Sequence, residues 1–319
     1  AVLEAILFVW VSPANHGLTM APGLLHGAYE CLRHHGSTEL QQRYLPKIAS
    51  GELVISFALT EPNAGSDAAS LSTRAQRQGD HYVLNGAKAF ISGGGDTDLL
   101  VVMARSGGEG AGGISAFAVP ADSEGISYGR KEEKMGWNSQ STRPIVFENV
   151  RVPAGNLLGE EGEGFKIAMK GLDGGRINIG TCSVGAAQGA LDAARRYMDE
   201  RRQFNRRLAE FQALQFKLAD MATHLVAARQ MVRLAACKLD AGAPDAATYC
   251  AMAKRFATDM GFQICLDAQQ IHGGYGDLAD YPLEGLVRDT RVHQILEGTN
   301  EIMRVIIARQ LLEKGADIR

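Results

Sequence analysis

From Leu214 onward, apolar residues repeat at four-three spacing without a break, through Leu218, Met221, Leu225, Ala228, Val232 and Ala235 to Leu239. Positions three and four apart share one face of a helix, so this stripe predicts a long helix with a continuous buried seam. Small residues within it, Ala228 and Ala235, imply close contact with other helices, which is the arrangement of a bundle. Its partners lie nearby. After Gly162 the pattern stays helical, with segments at 164–203, about 208–241, 245–272 and 300–314 joined by short links bearing Gly, Pro or Asp.

Between Leu53 and Pro153 the period is that of strands. Val54–Leu59, Leu99–Ala104, Ile114–Val119 and Ile145–Phe147 are short apolar runs separated by turn residues, and His81–Gly86 delivers an Asn-Gly pair into Lys88–Ser92, a hairpin signal. These predict a compact antiparallel domain. No Gly-x-Gly-x-x-Gly follows a strand and opens a helix, so a nucleotide is not held by a Rossmann half. Gly93–Gly95 follows a strand directly and is the glycine run placed to face a ligand, whereas Gly107–Gly113 reads as a flexible surface turn. Before this domain, Leu24, Leu25, Ala28 and Leu32 mark one helical face, and Gly36-Ser37 with Glu39 starts another helix that is expected to end before Pro46. His34 and His35 read as polar surface or interdomain residues.

Composition narrows the functional classes. A chain of 319 residues with 45% hydrophobic content can build two or three packed units, and a formal charge of -3 gives no electrostatic footprint for nucleic acid. The cysteines Cys31, Cys182, Cys237, Cys250 and Cys265 are scattered and odd in number, as expected of reduced, small hydrophobic residues. The longest apolar run, Ala5–Val11, is too short to cross a bilayer.

One carboxylate stands out. Glu297 lies between Ile295-Leu296 and Gly298-Thr299. Either Thr299 caps the helix that starts at Asn300 and Glu297 is a polar residue just before it, or Glu297 is a general base whose proton affinity is raised by burial, with Gly298 letting the backbone approach a ligand.

The segment His293-Gln-Ile-Leu-Glu-Gly-Thr-Asn-Glu-Ile-Met-Arg304 resembles the C-terminal signature of the acyl-CoA dehydrogenases. Leu59-Thr-Glu-Pro-Asn-Ala-Gly-Ser-Asp67 and Gln270-Ile-His-Gly-Gly-Tyr-Gly276 carry the same resemblance, and Lys134–Gln140 and Gly174–Asn178 are similar to the isobutyryl-type, short branched-chain members. The likeness runs nearly end to end from about Gly36. It implies an α+β fold with a helical N-terminal domain at 1–56, a central antiparallel β-barrel at 57–160 and a C-terminal four-helix bundle at 161–319. It also implies further N-terminal helices ahead of Ala1.

In function, the resemblance implies FAD-dependent α,β-dehydrogenation of a short, α-branched acyl-CoA thioester, with Glu297 as base. In isovaleryl-type members the catalytic glutamate occupies the position of Gly175, so glycine there leaves the role to Glu297. Substrate-binding positions are then Ser66, Arg176 and Gly298. Cofactor positions are Phe57, Leu59, Thr60, Gly65, Ser66, Phe90 and Ser92 in the β-domain, and Arg201, Gln203, Phe204, Gln270, Gly273, Gly274, Thr299 and Glu301 in the helices. Arg201, Gln203 and Phe204, with Gln270, Gly273 and Gly274, would serve the FAD of a neighbouring subunit. On composition alone, Arg201 is a solvated helix end and Arg176 a snorkelling surface residue. His272 is read as a packing residue, and no metal site is expected. The implied partners are an electron-transfer flavoprotein and further copies in a homotetramer, in the cytoplasm of a bacterium or the mitochondrial matrix of a eukaryote. A dehydrogenase of other chain length and a catalytically silent subunit of the same fold remain as alternatives.

Overall fold

The computed structural model describes residues 1–313. The chain gathers into two compact units: one of Ala1–Met20, Lys134–Asn138 and the chain from Asp173, the other of Ala21–Glu133 and Ser139–Leu172.

The second unit is a sheet with helices packed on it. After α1 (Val2–Val11), which belongs to the first unit, come helices α2 (Met20–His35) and α3 (Thr38–Ala49) and then strands β1 (Ile55–Ala58), β2 (Arg74–Gln78), β3 (His81–Ser92), β4 (Leu99–Arg105), β5 (Ile114–Pro120), β6 (Ile126–Tyr128), β7 (Thr142–Pro153) and β8 (Leu157–Leu158). The strand order is β6-β7-β3-β2-β4-β5-β8, with β1 beside β4. Most pairs are antiparallel as expected, but β1 runs parallel to β4, and β2 meets β4 in parallel at Arg74 and Arg105. Strand β4 is buried on both faces, which explains its unbroken apolar run. Leu99, Val101 and Met103 pack with Ala28, Leu32 and Leu40 of α2 and α3, while Leu100, Val102 and Ala104 pack with Leu84, Ile145 and Phe147.

Three expectations for this unit are corrected. Asn85-Gly86 is not a hairpin turn but a bulge within one continuous strand of 12 residues, β3. Its partner β7 is long enough to pair with both halves: Leu84 faces Val150 and Gly86 faces Phe147, with a register shift between them. Gly86 has φ +150°, and a Cβ there would meet Thr73 Oγ1 at 2.5 Å, so the glycine serves close approach. Helix α3 starts at the Ser37 cap as expected but continues through Pro46 to Ala49. Proline removes one donor and the remaining turn still closes, with the Ser50 N–H donating to Pro46 O at 3.0 Å. Finally, the Gly107–Gly113 loop is tied down rather than loose, because Arg105 Nη1 donates to Gly108 O at 2.6 Å and Gly110 O at 2.9 Å. His34 stands at the surface beside Glu30, as expected, with Nε2 and Oε2 2.9 Å apart.

The first unit is a helical bundle of α4 (Gly164–Glu200, from Asp173 on), α5 (Gln212–Asp240), α6 (Ala246–His272), α7 (Pro282–Arg291) and α8 (Asn300–Glu313). The expected seam of α5 is in place. Met221, Leu225, Ala228, Val232 and Ala235 are buried against Ile177, Val184, Ala187 and Ala194 of α4 and Cys250, Ala253, Ala257 and Ile264 of α6, with Leu214, Leu218 and Leu239 half-buried at its margin. Close packing rests on small residues: a Cβ on Gly261 would meet Ser183 Cβ at 2.9 Å.

Helix α4 ends at Glu200, before the expected 203, and gives way to a hairpin of β9 (Arg202–Gln203) and β10 (Arg206–Arg207). Phe204 and Asn205, at φ +52° and +62°, make its tight turn. Helix α7 has no counterpart in the sequence reading, and the expected end of the last helix at Lys314 lies outside the described residues. All five cysteines are free thiols; Cys237 is exposed and the other four are buried. Among the described residues no helix is long and apolar enough to cross a membrane.

Candidate active site

The turn between α7 and α8 is bent by left-handed backbone at consecutive residues, Glu297 at φ +56° and Gly298 at +88°. Such a conformation is unfavourable for a residue with a side chain and persists only where surrounding contacts hold it. Two cations do so. Arg176 Nε donates to Glu297 O at 3.4 Å, and Lys254 Nζ donates to Gly298 O at 2.8 Å. Arg176 is buried on α4, not snorkelling, and its Nη1 bonds Asp173 Oδ1 at 2.7 Å. Burial pushes the Asp173 carboxyl up, with Arg176 opposing.

The half-buried Glu297 side chain reaches back over α4, where a Cβ built on Gly175 would meet Oε2 at 2.6 Å. Helix interiors disfavour glycine, and the approaching carboxyl gives it a reason here. Thr299 does cap α8, its Oγ1 accepting from Ile302 N–H at 3.3 Å, so the capping role and the placed carboxylate coexist. Glu301, in the first turn, pairs with Arg304 at 3.4 Å.

Beside this turn lies a buried polar chain that sequence reading missed. Ser12 Oγ donates to Cys182 O at 2.9 Å, so it accepts from His16 Nδ1 at 2.6 Å. This leaves His16 Nε2 to accept from His293 Nε2 at 3.4 Å, and His293 Nδ1 to accept from Ser183 Oγ at 2.7 Å. These assignments make both rings neutral. Burial pushes His16 down to about 4 and His293 well below its ordinary value. Trp137 closes the group, its ring centroid 5.7 Å from that of His16 and 4.6 Å from that of His293, with its indole N–H donating to His16 O at 3.3 Å and its backbone N–H to Asp289 Oδ1 at 2.5 Å. The available signal was His293 inside the signature, four residues before Glu297.

A cavity of about 400 Å³ in the same unit is lined by Arg201, Gln203, Gly273 and Gly274 together with Tyr197, His272 and Tyr275. At both glycines a Cβ would meet nothing within 4 Å, and Gly273 has φ +57°, so the loop offers open backbone to a ligand. Arg201 Cζ stands 5.4 Å from the Tyr275 ring centroid. His272 is a packing residue as expected, stacked on Tyr197 at 4.2 Å with Nδ1 donating to Ala268 O at 2.8 Å. Gln270 and Phe204 do not line the cavity; Gln270 O accepts from Gly273 N–H, and Phe204 is 87% exposed at the hairpin tip. Neither Glu297 nor Arg176 lines it.

In the other unit, the loop after β1 is built around Glu61 and Lys88. Glu61 accepts from Ser72 N–H at 2.6 Å, Thr73 N–H at 3.0 Å and Lys88 Nζ at 2.8 Å, and Lys88 also donates to Leu59 O at 3.0 Å. Burial works against ionising Glu61, but Lys88 and the hydrogen bonds outweigh it and bring the carboxyl down to about 2. Burial lowers Lys88 to about 8 against the pull of Glu61. Thr60 O accepts from Ala89 N–H at 2.9 Å, so the loop is laced to β3. Gly65 and Ser66 stand exposed at its tip, and Phe57 is half-buried on β1.

Phe90 is 68% exposed at φ +57°, an unusual backbone for an aromatic residue, and Ser92 O accepts from Ser56 Oγ at 2.7 Å. Gly93 is crowded, since a Cβ there would meet Thr97 Cγ2 at 2.6 Å; it serves a tight turn, not an open cradle. Among the described residues no cluster of metal-ligating side chains is present.

Residues 56–150 match the acyl-CoA dehydrogenase middle domain and residues 162–312 its C-terminal domain. The chain belongs to the acyl-CoA dehydrogenase family. Within that family of oxidoreductases acting on acyl-CoA, it is 56% identical over 278 residues to mitochondrial isobutyryl-CoA dehydrogenase of Dictyostelium discoideum, covering 87% of this chain and 67% of that one. It is 55% identical over 279 residues to the Bos taurus protein of the same name, covering 88% and 67%. The butyryl-CoA dehydrogenase structure from Megasphaera elsdenii superposes with a TM-score of 0.94 at 39% identity, covering 97% of this chain and 81% of that one.

Proposed function

We propose that this chain dehydrogenates a short, α-branched acyl-CoA at the α,β bond, with Glu297 as the base and FAD as cofactor. The observation that carries the reading is the Glu297 carboxyl, held over Gly175 by a turn whose two carbonyls accept from Arg176 and Lys254. A Cα proton beside a thioester is weakly acidic, so a base must be fixed within hydrogen-bond reach of it and the carbonyl must be polarised. The Glu297 carboxylate takes that proton. The backbone N–H of Glu297 donates to the thioester oxygen, where negative charge develops. Arg176 keeps the turn in register, while Ser66 and Gly298 contact the substrate.

When bound, FAD supplies the acceptor for the β-hydride. The chain's residues suit it. The Gly273-Gly274 loop opens into a cavity lined by Gln203 and by Arg201, whose forked donors match a pyrophosphate, and these residues, with Phe204 and Gln270 outside the cavity, serve the FAD of a neighbouring subunit. Phe57, Leu59, Thr60, Gly65, Ser66, Phe90 and Ser92 serve the flavin side, and Thr299 and Glu301 its other contacts. Reoxidation falls to an electron-transfer flavoprotein, and the working form is a homotetramer, in the cytoplasm of a bacterium or the mitochondrial matrix of a eukaryote. The domains are 1–56, 57–160 and 161–319.

A panel of acyl-CoAs mixed anaerobically with the FAD-loaded protein, read as flavin bleaching, tests the substrate class. Isobutyryl-CoA or 2-methylbutyryl-CoA is expected to give the highest kcat/KM, with octanoyl-CoA and palmitoyl-CoA more than about tenfold slower because a short pocket cannot take the extra methylenes. Isovaleryl-CoA, branched at Cβ, is expected to be poor. A panel led by octanoyl-CoA or isovaleryl-CoA overturns the α-branched assignment, and failure of every thioester overturns the dehydrogenase reading.

A further inference from the structure

Lys254 is an unexpected residue on α6. It is fully buried, among small neighbours that include Ala251, Ala253 and Ala257, where a lysine would ordinarily be excluded unless paired. Its amine makes two hydrogen bonds and both lead to the base-bearing turn: to Gly298 O at 2.8 Å and to Asn300 Oδ1 at 2.8 Å. Asn300 is itself fixed, its Nδ2 donating to Thr258 Oγ1 at 2.9 Å and Asp259 Oδ1 at 2.7 Å. Helix α6 therefore grips both the residue after the base and the first residue of α8.

We infer that Lys254 is a positioning residue for this reaction, which locks the left-handed Glu297-Gly298 turn and sets, through its charge, the pH at which Glu297 acts as base. The inference rests on Glu297 being the base. Two features of the geometry support it, and electrostatics acts beside them. The turn has two successive residues at positive φ, and a lone Arg176 contact at 3.4 Å would hold only the first carbonyl. Lys254 reaches the second at a shorter distance, from a different helix, so the turn is gripped from α4 and α6 together. Moreover, a buried cation near a carboxylate favours the ionised, proton-accepting form of that carboxylate, because little water screens the pair.

The charged groups acting on Lys254 include both signs. Glu297, Asp259 on its own helix and Glu301 on α8 favour the ammonium, whereas Arg176 on α4 opposes it. The His293 ring is kept neutral by its burial, with His16 and Lys254 adding in the same direction. Burial dominates and brings the amine down to about 7. The ammonium thus predominates at acid pH, in the range where a carboxylate base would otherwise be lost to protonation.

The test is the pH profile of kcat for isobutyryl-CoA oxidation at saturating FAD and substrate, with a ferrocenium salt as the electron acceptor that reoxidises the flavin, and with thermal unfolding recorded on the same samples. Lys254→Met keeps the side-chain volume and removes the charge and both hydrogen bonds. The expected result is a fall in kcat of about tenfold with a smaller change in KM, and an acid limb moved to higher pH by about half a unit or more. Lys254→Arg is expected to return the acid limb toward its original position even if it costs stability. A purely structural role would lower the unfolding temperature and FAD content without moving the limb.

Should Lys254→Met lack a cooperative unfolding transition, the same profile is read on Lys254→Gln, for which the shift is again expected. An unmoved limb in the folded variant, alongside an inactive Glu297→Gln, overturns this inference alone. Full activity of Glu297→Gln overturns the base assignment and this inference with it.

Discussion

The carboxyl of Glu297 occupies the space that a side chain at position 175 would fill, since a Cβ on Gly175 would meet Oε2 at 2.6 Å and Cδ at 2.9 Å. Position 175, where the family resemblance implies an alternative placement of the catalytic glutamate, is therefore pressed against the proposed base. Either placement would deliver a carboxylate to the same region, and the two exclude each other.

Gly175→Ala separates helix preference from catalysis. Alanine favours the interior of α4 by about 0.5–1 kcal/mol, yet its methyl group must displace the carboxylate. Thermal stability is expected to hold or rise while kcat falls by about tenfold or more, because a base displaced by a fraction of an ångström loses its alignment. Steady-state kinetics with isobutyryl-CoA beside a thermal melt checks this. Unchanged kcat would mean that the carboxyl near Gly175 is not the working base.

Acid should weaken the helical unit through its buried histidines. The folded-state value of His16 is depressed from 6.5 to about 4, so the unfolded chain binds the proton first as pH falls. Stability is complete above about 6.5 and declines toward pH 4, by about 3 kcal/mol from His16 alone, with His293 adding in the same direction. Trp137, packed against both rings, is a local reporter, so urea unfolding followed by tryptophan fluorescence at pH 7 and pH 5 gives the slope. His16→Gln is expected to flatten it. Equal stability of the parent protein at the two pH values would contradict neutral, buried rings.

The Glu61–Lys88 pair should be costly to break from one side. Lys88→Met leaves a buried carboxylate with only the Ser72 and Thr73 donors and is expected to destabilise by about 3–5 kcal/mol. Replacing both partners, as Lys88→Met with Glu61→Leu, is expected to recover most of that loss. Because Lys88 also holds Leu59 O, FAD affinity measured by fluorescence quenching is expected to weaken in both variants. A single variant as stable as the parent would show that the pair does not shape this loop.

Much of this architecture was legible because it rests on repetition. The α5 seam is buried where its spacing said it would be, and the apolar runs of β4 and β5 became interior strands. What escaped rests on partners distant in sequence. Asn85-Gly86 signals a turn or a bulge equally well, and only the length of β7, some sixty residues on, decides for the bulge. Strand β2, Arg74-Ala-Gln-Arg-Gln, buries only Ala75, so it has no apolar alternation to read.

The site divides the same way. Glu297 and Arg176 are proposed through motifs shared with a family, but Lys254 sits in an alanine-rich helix, where a lysine reads as a surface residue. Its two acceptors lie more than forty positions away. The histidine chain joins His16, Ser183 and His293 across the length of the protein, a connection no local pattern encodes.

The most direct test of the account is Glu297→Gln. The amide preserves size and cannot accept the Cα proton, so the variant is expected to bind FAD and isobutyryl-CoA with near-parental affinity while anaerobic flavin bleaching in single-turnover mixing slows by about a hundredfold or more. Bleaching at the parental rate in the FAD-loaded variant would contradict Glu297 as the base.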